Sequence, residues 1–175
     1  MEQISNHGEQ FNKVYDEVFP VLLKVVYKIT GSLDIAEELC QEAFIRFYER
    51  MEDFPDINQA KYWLIRVSKN LALNHQKRKG REKRAYERAI HEPGRNDETG
   101  ETAILKKESY YAVQKALDRL PENLKTVLIL KEYGNLNYKE IAKTLKISEG
   151  NVKVRVFRAR KQLFDYLNNG EFYVP

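Results

Sequence analysis

The sequence predicts an all-α protein: two small helical domains joined by a flexible linker, the second a helix-turn-helix. Three observations carry this. Apolar residues recur at helical spacing through most of the 175 residues, and only eight glycines and five prolines interrupt them. The one polar stretch without an apolar period, EPGRNDETGE, lies between two helical blocks. A chain of this length makes one domain or two small ones, and each half then depends on strong helix-on-helix packing for its core.

In chain order, FNKVYDEVFPVLLKVVYKI places Phe11, Val14, Val18, Leu22, Val25, Val26 and Ile29 on one helical face. Pro20 is expected to kink or split this helix. The second helix opens at Ser32 or Asp34, with Glu37 completing a capping-box-like pair, and runs through ELCQEAFIRFYERM. DFPDINQ is a turn-rich break, and KYWLIRVSKNLALNHQKRK is a third long helix that REKRAYERAIH either extends or frays. The aperiodic stretch at about 91–102 reads as linker.

The second half holds four helical patterns. AVQKALDRL is first, and Pro121 then sits where a helical turn would start, ahead of ENLKTVLILKEY. Gly134 ends that helix. Asn137 caps NYKEIAKTLK, with Glu140 three residues on as a second capping-box-like pair, and Ser148 caps the last element.

That last element, SEGNVKVRVFRARKQL, alternates valines with Lys153 and Arg155 and at first spells a strand. On a helix at 100° per residue, however, Val152, Val156, Ala159 and Leu163 fall within about 60° of one another. Lys153, Phe157, Arg160 and Lys161 take the opposite side, with Val154 and Arg158 at an edge. It is a helix, and the Lys146-Ile147-Ser148 connection before it completes a helix-turn-helix whose second helix enters a major groove. An aromatic in the middle of a cationic face calls for a base, a sugar or a partner. Arg158, Arg160 and Lys153 can reach guanine edges or phosphates, and Val154 a thymine methyl. The bland alternative is a solvated surface helix whose bases confer only solubility.

Charge is uneven along the chain. Residues 1–60 carry 5 bases and 12 acids, residues 61–90 carry 10 bases and 2 acids, and residues 119–175 carry 11 bases and 6 acids. An acidic block followed by two basic ones suggests two nucleic-acid contacts and one further surface. In the first basic block Tyr62, Arg66, Lys69, Asn70, Leu73 and Lys77 share a helical face that suits phosphates together with stacked or unpaired bases. Trp63 sits at its edge, and a role as core anchor suits it at least as well.

No apolar run approaches the roughly 20 residues of a membrane span. MEQISNHGEQ lacks the basic start and apolar core of a signal peptide, so a cytosolic protein is expected. The single cysteine, Cys40, excludes a disulfide framework and a multi-cysteine zinc site, and its apolar neighbours point to a buried thiol. His7, His75 and His91 have no metal-binding spacing. There is no Gly-rich phosphate loop, G-x-S-x-G or C-x-x-C, and Glu37–Glu38 suits a solvated face. Neither a catalytic constellation nor a cofactor is expected.

The chain resembles a bacterial RNA polymerase sigma factor of the extracytoplasmic-function group. DIAEELCQEAFIRFYE is similar to the family's polymerase-binding helix, and YWLIRVSKNLALNHQKR to the helix that meets the downstream promoter element. LDRLPENLKTVLILKEYGNLNYKEIAKTLKISEGNVKVRVFRARKQL is similar to its helix-turn-helix domain. The last alone is shared by many regulators; all three in this order and spacing are specific. The resemblance implies a region-two domain at 1–90, a linker at 91–108 running through the polymerase, and a region-four domain at 109–175. It implies docking on the clamp helices of the polymerase largest subunit through Asp34, Glu38, Gln41, Glu42 and Phe44. It implies −10 recognition through Lys61, Tyr62, Trp63, Arg66, Asn70, Lys77 and Arg78, with a base flipped out near the Phe54–Lys61 loop. It implies −35 recognition through Lys153, Val154, Phe157, Arg158 and Arg160. Family members often carry a small hydroxyl residue where Val154 stands, which leaves the −35 sequence open. An anti-sigma protein is the further partner implied. Two other classes compete. An autonomous operator-binding regulator would dimerise on a palindrome, yet no heptad zipper is present. A nucleic-acid enzyme needs a nucleophile or a carboxylate set for metal.

Overall fold

The computed structural model describes residues 2–89 and 104–168. Seven α-helices are present among them: α1 (Glu2–Thr30), α2 (Leu33–Tyr48), α3 (Ile57–Ala89), α4 (Ile104–Arg119), α5 (Glu122–Glu132), α6 (Tyr138–Leu145) and α7 (Glu149–Asn168), with a 3₁₀ turn at Met51–Asp53. Helices α1–α3 pack on one another and α4, α5 and α6 pack around α7, the two helical domains of an all-α protein.

The first domain is held by the expected apolar stripe. Val14, Val18, Leu22, Val25, Val26 and Ile29 of α1 are buried against Ala36, Leu39, Cys40, Ala43, Phe44 and Phe47 of α2 and Ala60, Leu64, Ile65 and Ala72 of α3. Pro20 does not split α1, which passes through it as one helix. Pro20 is exposed, so the Asp16 carbonyl that its ring leaves unpaired faces water rather than the core. Ser32, not Asp34, caps α2, its Oγ accepting from the Ile35 N–H. Asp56 caps α3, its Oδ1 accepting from the Gln59 N–H at 2.9 Å. That helix continues through Gly80 to Ala89.

In the second domain α4 opens at Ile104, inside the stretch expected to be linker; the rest of 91–103 lies outside the described residues. Pro121 is the residue before α5 rather than its first turn, and its carbonyl accepts from Leu124 and Lys125. Gly134 ends α5 because a Cβ there would lie 2.6 Å from the Leu130 carbonyl oxygen. Asn137 and Glu140 form the full capping box on α6, and Lys146 takes the left-handed conformation (φ 55°) that turns the chain into α7. Ser148 Oγ then accepts from the Asn151 N–H at 3.2 Å. Val152, Val156 and Ala159 are buried, as the 60° stripe requires, and the strand reading is excluded.

The two domains touch. Val127, Ile129, Leu130, Leu136, Ile141, Val152 and Val156 belong to one apolar cluster continuous with the α1–α3 core. Leu117, Leu120, Leu124, Leu128 and Ala159 form a separate core of the second domain.

Candidate nucleic-acid interface

Three surfaces follow from which helix faces the cores leave free. On α7 the face opposite the Val152/Val156/Ala159 stripe carries Lys153, Val154, Phe157 and Arg158, all exposed; Phe157 is 70 % exposed and Val154 48 %. A large aromatic kept in water between cations on a short-turn second helix suits a groove edge. Lys153 is held in register by Glu149 one turn back, at 3.1 Å. Arg160 is placed differently. Its guanidinium meets Glu132 of α5 at 2.6 Å, and that hydrogen bond raises its pKa further, so it braces α7 on α5.

On α3, Asn70, Lys77 and Arg78 are exposed, whereas Lys61, Tyr62, Trp63 and Arg66 are half-buried. Trp63 packs 5.3 Å from the Phe54 ring, which lies 5.6 Å from Phe47, and the Arg50 guanidinium stands 5.9 Å from the indole. Trp63 therefore anchors the 50–57 turn to the core while presenting one edge. Beside that turn is a recess of about 620 Å³ lined in part by Lys13, Phe54, Pro55, Asp56, Ile57 and Asn58, roomy enough for an unstacked base. Tyr62 Oη donates to Glu140 Oε1 of α6 at 3.0 Å; burial first, and then that bond, raises the phenol pKa. Lys77 pairs with Glu122 of α5 at 3.5 Å. Lys69, which the sequence places on the same face, is half-buried, and burial lowers its pKa.

On α2 the structure separates the predicted residues. Asp34, Glu38 and Gln41 are exposed on one face, and Glu42 is half-buried and paired with Arg46 at 2.5 Å. Phe44 is not on that face. It is 3 % exposed, in ring contact with Tyr15 at 5.0 Å, Phe11 at 5.9 Å and Phe19 at 6.1 Å. The exposed apolar residues on that face are Ile45 and Tyr48, 63 % and 60 % exposed, which continue the Asp34–Glu38–Gln41 face at i+4 and i+7 steps. They flank a shallow apolar groove whose floor includes Phe11, Tyr15 and Phe44. Sequence reasoning missed them, although the same wheel that places Asp34, Glu38 and Gln41 together would have found them.

Among the described residues no three of His, Cys, Asp and Glu come together to hold a metal, and no helix is long and apolar enough to cross a membrane.

Two helical domains, the second a helix-turn-helix with an exposed reading face, define a DNA-binding transcription protein. Residues 14–82 match the model of Sigma-70 region 2, and residues 110–163 that of Sigma-70, region 4. The chain is 31 % identical over 158 residues to the RNA polymerase sigma-H factor of Pseudomonas aeruginosa, covering 82 % of each chain. It is 30 % identical over 170 residues to the ECF RNA polymerase sigma factor SigW of Bacillus subtilis, covering 89 % of each. Its fold is similar to that of the sigma factor RpoE of Bartonella quintana, solved in complex with the anti-sigma factor NepR, at a TM-score of 0.68 and 22 % identity over 92 % of this chain and 98 % of that one. The chain belongs to the sigma-70 family of RNA polymerase sigma factors, in the extracytoplasmic-function group. It is a sigma factor, directing promoter-specific initiation of transcription.

Proposed function

We propose that residues 1–90 dock on core RNA polymerase and read the −10 element, that residues 109–175 read the −35 element, and that 91–108 links them. The exposed Lys153–Val154–Phe157–Arg158 face of α7 is the observation that carries this reading. Lys153 and Arg158 take phosphates or guanine edges, while Val154 and Phe157 meet thymine methyls and sugars. On α3, Lys61, Arg66, Asn70, Lys77 and Arg78 follow the strand, Tyr62 and the Trp63 edge stack, and the recess by Phe54 takes a flipped base. The α2 face receives the clamp helices of the polymerase largest subunit, with Asp34, Glu38, Gln41 and Glu42 as polar contacts around an apolar centre of Ile45 and Tyr48.

The protein works in the cytoplasm as a specificity subunit without chemistry of its own. Solved proteins of this fold include a sigma factor bound to the anti-sigma factor NepR and CnrH bound to the cytosolic domain of CnrY, which supports an anti-sigma protein as a further partner. Sizing chromatography with bacterial core RNA polymerase tests the reading: a stoichiometric complex is expected. Elution of the chain alone, together with tight duplex binding, would favour an autonomous regulator instead.

A further inference from the structure

The geometry points to a small-ligand site where α3 meets the second domain, a cleft that takes a nucleoside phosphate through Lys69 and Arg155. The cleft has a volume of about 390 Å³ and lies between α3, the start of α5 and the turn that leads into α7. Lys69 reaches it from α3 and Arg155 from α7, and both are half-buried. Among the described residues neither is engaged in a hydrogen bond or an ion pair. Glu122, the acid that lines the cleft, is already paired with Lys77 at 3.5 Å. Charges drawn away from water are ordinarily paired, so two unpaired cations meeting at one cleft call for an anion from outside. The local field has the matching sign. Burial lowers the pKa of Lys69, Glu122 works against that, and Arg66 and Lys77 add to the lowering. The first amides of α5, at Glu122 and Asn123, have no carbonyl one turn back and bring a positive helix end to the same wall.

Volume and lining decide the rest of the ligand. A bare phosphate leaves most of 390 Å³ empty, whereas a ligand of nucleotide size falls within the ordinary range of ligand clefts. Leu73, Leu145 and Ile147 give the cleft an apolar side against which a planar ring lies. Asn123 and Thr126 offer donors and acceptors beside it, and Glu122 an acceptor for ribose hydroxyls. A phosphate held by the Lys69 ammonium and the Arg155 fork, with its ring on the apolar side, uses both halves of the cleft. Such a ligand touches both domains, so its binding stabilises the folded chain as a unit. Neither cation is among the residues assigned to a promoter element, and the site stands whether or not that assignment does.

Calorimetric titration and thermal unfolding of the free full-length chain test the site, with GDP as the probe and pyrophosphate as the probe that lacks the ring. GDP is expected to bind stoichiometrically and to raise the melting temperature. Pyrophosphate is expected to bind at least about tenfold more weakly, because it leaves the apolar side uncovered. No binding of GDP overturns the site, and pyrophosphate bound as tightly as GDP overturns the nucleoside phosphate. Lys69→Gln/Arg155→Gln is expected to weaken GDP about tenfold or more, the worth of a charged hydrogen bond. Lys139→Gln/Lys143→Gln removes two exposed lysines of α6 outside the cleft and leaves GDP affinity where it was. Equal losses in the two variants would mean attraction by general positive charge and overturn the site. Amine labelling of the wild-type chain, read by mass spectrometry, gives a result independent of any variant. GDP is expected to protect Lys69 and leave Lys139 modified, and equal protection of both, or of neither, overturns the site.

Discussion

Phe44→Ala separates packing from recognition on α2. The Phe44 ring is 3 % exposed and makes ring contacts with Phe11, Tyr15, Phe19 and Phe47 at 5.0–6.2 Å. Truncating a buried Phe costs about 3–5 kcal/mol, through lost transfer energy and an incompletely collapsed cavity. The lost aromatic pairs, each worth about 0.5–1.5 kcal/mol, place this site toward the upper end. The neighbouring groove gives the cavity one open side, which lets solvent and side chains relax into it. We expect about 4 kcal/mol of destabilisation by urea unfolding at an unchanged m-value. Ile45→Ser, one residue on, faces water and should leave stability within about 0.5 kcal/mol while weakening polymerase binding. A Phe44→Ala chain within about 1 kcal/mol of wild type that still failed to bind polymerase would refute the assignment of Phe44 to the core.

Four further outcomes are expected. Arg158→Ala should cost about 1–3 kcal/mol of discrimination at one −35 position if its fork reads a guanine, whereas Arg160→Ala, tied to Glu132, should leave the preference unchanged; run-off transcription over a −35 substitution series checks both. Gly134→Ala should destabilise the chain by about 1–3 kcal/mol, since a Cβ would lie 2.6 Å from the Leu130 carbonyl oxygen, which thermal unfolding reports. Ser68→Ala should be neutral or stabilising by up to about 1 kcal/mol, because the Ser68 hydroxyl is buried without a hydrogen-bond partner. Burial, reinforced by Glu37, pushes the Cys40 thiol up to about 12, so it should react with a thiol reagent at pH 8 only after unfolding. The folded state prefers the protonated thiol; that contribution is complete below the unfolded value near 9 and is lost as pH rises toward 12.

The helix-turn-helix was legible in the sequence because its signals are local. Asn137 with Glu140, Ser148, and the Val152–Val156–Ala159 stripe lie within a few residues of the structure they specify. That α3 is a helix with Leu64, Ile65 and Ala72 buried was legible for the same reason. Phe44 was misplaced by treating it apart from its stripe: Leu39, Cys40, Ala43, Phe44 and Phe47 follow core spacing, while Ile45 and Tyr48 continue the exposed acidic face. Pro20 left kink and split both open because its effect depends on which side of the helix the orphaned carbonyl faces, a tertiary property. The contact of Tyr62 with Glu140 spans 78 residues, and no local pattern encodes it.

The central claim, that this chain confers promoter specificity on RNA polymerase, is tested most directly by run-off transcription from genomic fragments with core polymerase and purified protein. The account predicts new start sites preceded by a shared pair of motifs at fixed spacing. A start-site profile indistinguishable from that of core polymerase alone would contradict it.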